Sequence, residues 1–192
     1  MSISVVELPR VTGACPQILT AAVRRAVHSG GSWQETSDRV VAALRGRLPA
    51  PGQLLSPEQL AGDPAGYQTH LVHAEPDGSF SIAVMVWLPG QQTPVHDHVA
   101  WCVSAVLQGT EYEEIFRLIP AGPQDRQGHL ESVVRNANPV GTIAGFAPPG
   151  DIHQVTNIGD TVAVSMHIYG TDITRVGSSV RRIYELPVSP AR

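Results

Sequence analysis

From Tyr67 onward the chain is a series of short apolar runs cut by turn residues, and this texture excludes most folds. The runs lie at 68–73, 79–87, 101–107, 111–118, 129–135, 142–146, 162–169 and 182–186. The cuts include Pro76-Asp77-Gly78, Pro89-Gly90, Gly109-Thr110, Ala121-Gly122-Pro123, Pro148-Pro149-Gly150 and Ile158-Gly159-Asp160. Each run has the length of a strand, and strands at such spacing predict a sandwich or a small barrel.

The residues before Tyr67 read differently. Residues 1–15 are expected to form a loosely held arm. Over 16–28, Ile18, Leu19, Ala22, Val23, Ala26 and Val27 recur at helical spacing. Gly30 and Gly31 stop that helix. Ser32 caps a second helix, with Glu35 placed three residues on to close a capping box. The second helix carries the apolar stripe Trp33, Val40, Val41, Leu44 and Leu48, and Pro49, Pro51 and Gly52 end it. Ser56-Pro57-Glu58 opens a short third turn, with proline at its first helical position. The expectation is a mainly β fold: a barrel over 66–192 with a helical cap over 1–65, forming one structural domain.

Composition narrows the function classes. The net charge of −4 is mild, and no basic run speaks for nucleic acid. No apolar stretch is long enough to cross a bilayer. The first residues, MSISVVELPR, lack the basic-then-apolar layout of a signal peptide. The two cysteines, Cys15 in a proline-flanked loop and Cys102, make no disulfide framework, which points to a reducing, cytoplasmic setting.

The chemistry concentrates in the stretch PVHDHVAWCVSAVLQG, residues 94–109. His96 and His98 are two apart, so on a strand both imidazoles aim at one spot. Neutral imidazole is the commonest transition-metal ligand among side chains. Farther on, Ser165, His167 and Tyr169 alternate with Met166 and Ile168, so the three polar residues share one strand face. That face points either to solvent or into the barrel.

Two spacings resemble the paired motifs of the cupins, which are jelly-roll-like β-barrels. The first is Gly90, five residues, His96-x-His98, three residues, Cys102, six residues, Gly109. The second is Pro148-x-Gly150-x-x-His153-x-x-x-Asn157. Where most cupins carry a glutamate ligand this chain has Cys102, which leaves His96, His98 and His153 as the metal set. A three-histidine cupin followed by Ser165-x-His167-x-Tyr169 resembles the thiol dioxygenases, the family of cysteine dioxygenase and 3-mercaptopropionate dioxygenase. The resemblance runs from about Tyr67 to Tyr169, and more weakly through the helical cap.

That resemblance implies an oxidoreductase with one non-haem Fe(II), adding both atoms of O2 to the sulfur of a small thiol acid to give a sulfinic acid. Three neutral ligands leave the metal its full charge, which favours an anionic thiolate. In such a site Tyr169 holds its hydroxyl near the iron, His167 orients Tyr169, and Ser165 orients His167. Cysteine-specific members place an arginine near Gln68 and Thr69 for the substrate carboxylate. The 3-mercaptopropionate type carries glutamine there and an arginine later. The carboxylate clamp is therefore expected from Arg175, Arg181 or Arg182, with Arg182 favoured. Cys102 has two readings: a thioether to Tyr169, as in mammalian-type members, or an inert buried residue. The expected partners are a small thiol and O2, with neither nucleic acid nor membrane, and the chain is expected as a monomer or weak homo-oligomer. The rival readings are a cupin metalloenzyme of another reaction and a non-catalytic metal- or ligand-binding cupin.

Overall fold

The computed structural model describes residues 14–122 and 127–189. Nearly all of the expected arm, and Pro123 of one expected turn, lie outside the described residues. The helices are α1 (Ala14–Val27), α2 (Trp33–Leu44), α3 (Pro57–Leu60) and α4 (Ile173–Val176). The strands are β1 (Gln68–Ala74), β2 (Ser81–Trp87), β3 (His96–His98), β4 (Cys102–Gln108), β5 (Thr110–Ile119) and β6 (His129–Pro139). They continue with β7 (Ile143–Phe146), β8 (His153–Thr156), β9 (Ala163–Tyr169), β10 (Val180–Ile183) and β11 (Val188–Ser189).

The strands form two sheets. One has the order β1-β2-β9-β4-β7 and the other the order β10-β3-β8-β5-β6-β11. Together they curl into the half-open barrel of a cupin, with α1 and α2 on the outer face of the first sheet. Alternation explains this layering. Ile82, Val84 and Val86 of β2, Val103 and Ala105 of β4, and Val164, Met166 and Ile168 of β9 share one core with Leu19, Val23, Val40 and Leu44 of the helices. The intervening residues of the same strands, Met85, Trp87, Cys102, Ser165, His167 and Tyr169, therefore face the barrel interior. The polar face of β9 points inward because its apolar face is already taken by the helical cap.

The capping box is present. Ser32 Oγ accepts from the Glu35 amide at 3.3 Å, and Glu35 Oε2 accepts from the Ser32 amide at 2.7 Å. α2 ends at Leu44 rather than Leu48: Arg45 leaves helical geometry with ψ 124°, and Gly46 completes the turn with a positive φ of 69°. Leu48 then packs on the core from outside the helix. Cys15, expected in a loop, lies in the first turn of α1. The short strands β8 and β11 were not expected, since runs of four and two residues show no period that a sequence reading can detect.

α2 can rest on β7 only because Gly145 has no side chain. A Cβ there would overlap Ser37 Oγ and sit 2.9 Å from Val41 Cγ2. Ser37 is fully buried, so it has nowhere to move. Gly145→Ala is expected to destabilise the fold by about 1–3 kcal/mol, the usual cost of overpacking. Thermal unfolding of G145A and G145A/V41A checks this, with partial recovery expected in the double variant.

Candidate metal centre and pocket

Register builds the centre. His96 and His98 are two apart on β3, and His153 of β8 is the ladder partner of His96. Ladder partners point to the same side of a sheet, so three imidazoles converge. Each can offer a ring nitrogen, and these nitrogens lie within 4.8 Å of one another. All three histidines are buried.

The outer nitrogens decide which inner atoms are free. His96 Nδ1 is 3.0 Å from the Pro94 carbonyl oxygen, His98 Nδ1 is 3.1 Å from Asp151 Oδ2, and His153 Nδ1 is 2.8 Å from Glu113 Oε1. An acceptor at Nδ1 fixes the hydrogen there and leaves the Nε2 lone pair for a metal. Burial pushes Asp151 and Glu113 up, but the hydrogen bonds from His98 and His153 outweigh it and hold both carboxyls below their ordinary range. Burial, with the neighbouring histidines, lowers His96 well below its usual value and also lowers His98. Neutral imidazoles are the ligand form. A divalent transition metal suits this donor set, and Fe(II) is among the metals that imidazole binds.

A pocket opens over the three histidines. Its walls include Tyr67, Thr69, Met85, Trp87, His167, Tyr169, Ser178 and Ser179. Tyr67 and Trp87 stack at 4.5 Å. On β9, Ser165 Oγ lies 2.9 Å from His167 Nε2 and accepts from Trp87 Nε1 at 3.2 Å. The rings of His167 and Tyr169 lie nearly parallel, 5.9 Å apart. Burial drives His167 down to about 3 and Tyr169 well above its ordinary value. His167 therefore stays uncharged, and Tyr169 keeps its hydroxyl hydrogen.

Cys102 is the ladder partner of Tyr169 across β4 and β9, and both pack in one interior cluster. Burial raises the Cys102 thiol well above its ordinary value. The two side chains therefore share one side of the sheet, which fits a crosslink and inert packing alike.

The expected carboxylate clamp is not at the pocket. Arg181 and Arg182 lie on β10 and turn outward to Asp97, at 2.7 Å and 2.6 Å from its Oδ2. The Tyr184 hydroxyl donates to the same oxygen at 2.9 Å. The physical reason is alternation: Asp97 sits between His96 and His98, so it faces away from them and recruits the guanidinium groups to the outside. Burial pushes the Asp97 carboxyl up, but these donors overcome that and hold it far below its ordinary value. Arg175 pairs with Asp172 and donates to the Pro76 carbonyl oxygen. Among the described residues no arginine lines the pocket. Gln68 and Thr69 also separate: Thr69 lines the pocket, while Gln68 hydrogen-bonds Asp63 and the Gly66 carbonyl.

Sequence reasoning missed Asp151, Glu113 and the buried Glu111. Nothing local in Glu111-x-Glu113 on β5 distinguishes an inward acidic pair from an outward one.

A barrel with three converging imidazoles defines the class: a cupin with a three-histidine metal site. The family model described as cysteine dioxygenase type I matches residues 60–178, and the chain belongs to that family. Solved structures resemble it more distantly. An oxalate oxidase in complex with glycolate is 20% identical with a TM-score of 0.43, covering 57% of this chain and 53% of that one. The chain thus spans about half the length of that protein (53%). A cupin 2 conserved barrel domain protein from Salinispora arenicola CNS-205 is 20% identical, TM-score 0.41, covering 60% of this chain and 83% of that one. An RmlC-like cupin protein from Desulfovibrio desulfuricans is 21% identical, TM-score 0.39, covering 56% of this chain and 86% of that one. Among the described residues no helix is long and apolar enough to cross a membrane.

Proposed function

We propose that the chain is an Fe(II)-dependent thiol dioxygenase, converting a small thiolate and O2 to the sulfinate. The observation that carries this is the meeting of three converging imidazoles with the inward-facing His167 and Tyr169 in one pocket. Family membership supports the reaction class.

Bound iron would supply a Lewis-acidic centre that holds thiolate and O2 together. The chain's own residues do the rest. His96, His98 and His153 would hold the metal, with Nδ1 of each anchored to an acceptor. Tyr169 stays protonated and offers a hydrogen bond into the pocket. His167 stays neutral and packs parallel to Tyr169. Tyr67, Met85 and Trp87 exclude water and so strengthen every polar contact inside.

Along the pocket wall Thr69, Ser178 and Ser179 offer neutral hydrogen bonds. They give no counter-charge to the ammonium of cysteine, so 3-mercaptopropionate is expected to outperform it. They give none to a carboxylate either, so 2-mercaptoethanol is expected to approach 3-mercaptopropionate. The test is O2 uptake and sulfinate yield of the iron-loaded protein with these thiols and cysteamine, with Tyr169→Phe alongside. Tyr169→Phe is expected to keep iron and lose sulfinate yield. Iron retention with no thiol-dependent O2 uptake would reject the enzyme reading and favour a binding module.

A further inference from the structure

β10 stands at the edge of the second sheet, and its one partner is β3, the strand of His96 and His98. Its two faces meet different things. Val180 is the ladder partner of His98, and with Ser178 and Ser179 it lines the pocket. On the outer side Arg181, Arg182 and the Tyr184 hydroxyl all donate to Asp97 Oδ2, at 2.7, 2.6 and 2.9 Å. The Asp97 side chain is 1% exposed, whereas those of Arg181 and Arg182 are 44% and 53% exposed. The segment 178–184 therefore covers the acid on one side and walls the pocket on the other.

One extra residue makes this arrangement. Between the pair Val180–His98 and the pair Arg182–Asp97, β10 advances two residues while β3 advances one. In an unshifted ladder Arg182 would stand opposite His96 and share its side. The bulge at Arg181 instead brings two consecutive guanidinium groups to the outer side. Little else holds the segment. β10 has four residues, as does α4 before it, and Ile183 is 49% exposed. Beyond the ladder the backbone adds the Val99 amide on the Ser179 carbonyl oxygen at 3.0 Å and the Tyr184 amide on that of Val95 at 2.9 Å. Against these few neutral contacts, Asp97 Oδ2 gathers three donor side chains, and a charged acceptor makes such bonds the stronger kind.

We propose that Asp97 is a positioning residue that acts through Arg181, Arg182 and Tyr184 to hold the segment 178–184 against β3, and so sets the size of thiol that the pocket admits. The selection among thiols rests on the thiol dioxygenase reading; the hold on the segment does not.

Hydrogen exchange of the Val99 and Tyr184 amides in the full chain, loaded with diamagnetic Zn(II), reads the hold directly, with the β9 amides as reference. Asp97→Asn and the pair Arg181→Ala with Arg182→Ala are each expected to speed exchange there about tenfold and to leave β9 unchanged. The arginines are half-exposed, so their removal leaves the core intact. All three changes together are expected to exceed neither set alone, because both remove the same contact and the triple variant leaves no unpaired acid. Parental exchange at Val99 and Tyr184, loosening shared equally by β9, or fully additive effects overturns the proposal. The pocket is read by the dissociation constants of 2-mercaptoethanol and phenylmethanethiol on the Co(II)-loaded chain, from visible absorption. The loosened variants are expected to shift their ratio several-fold toward the bulkier thiol. An unchanged ratio in a variant whose segment has loosened overturns the role in selection. A shifted ratio without thiol-dependent O2 uptake by the iron-loaded protein would leave this inference standing and reject the catalytic reading.

Discussion

His153→Ala is expected to fold and to lose its iron. His153 supplies one of three converging nitrogens, and its Nδ1 is the hydrogen-bond partner of Glu113. Removing it leaves two imidazoles on β3, with no third ligand across the ladder from His96. Two controls grade the effect. Glu113→Gln and Asp151→Asn keep all three ligands but weaken the anchors at Nδ1, and losses at such outer partners are about 10–100-fold in metal affinity or activity. His153→Ala is expected to exceed both. The measurement is iron per chain after desalting, with near-ultraviolet circular dichroism to confirm packing. If His153→Ala retains iron as the parent does, the centre is misassigned.

That centre was largely legible in the sequence, because its logic is local. Two residues on one strand share a face, and His96-x-His98 needs nothing more than that rule. Ser165, His167 and Tyr169 obey the same rule on β9. Which side of the sheet they faced was not local. It depends on the helical cap covering Val164, Met166 and Ile168, a contact between segments more than a hundred residues apart in sequence order. The arginines lie away from the pocket for a related reason. Arg181 and Arg182 follow Tyr169 closely enough to reach a pocket, but β10 pairs with β3, and the carboxylate of Asp97 meets them on the outer side. A strand path and one buried acid decide that outcome, and neither shows in a spacing.

The strands themselves were legible where they were long. β1, β2, β4, β5, β6, β7 and β9 all lie within the expected runs or within a few residues of them. β8, which carries His153, spans four residues and stands as a strand only because β3 and β5 flank it. The carboxyls behind the ligands were illegible for the same reason. Asp151 lies before β8 and Glu113 on β5, and only the assembled sheet brings them to Nδ1 of two histidines.

Glu111 makes a thermodynamic prediction that is independent of any catalysis. Burial raises its native pKa from 4.5 to about 7, so the native state holds the proton more tightly than the unfolded chain does. A carboxyl raised in this way favours folding fully below its unfolded value. That contribution is lost as pH rises from there through the native value, and above it nothing further changes. Glu111→Gln removes the titration and keeps the volume. It is therefore expected to track the parent near pH 4.5 and to gain on it up to about pH 7, with a constant margin beyond. One pKa unit is worth about 1.4 kcal/mol, so the margin reaches about 3 kcal/mol at alkaline pH. Asp97 titrates with the opposite sign: held far below its ordinary value by Arg181, Arg182 and Tyr184, it adds stability above its unfolded value and loses it in acid. Asp97 is the same in both proteins, so its contribution cancels from the difference. The measurement is the free energy of denaturant unfolding of parent and Glu111→Gln at pH 5 and pH 8.5, with identical metal loading. Equal differences at the two pH values would show that Glu111 ionises in the folded barrel as easily as in the unfolded chain.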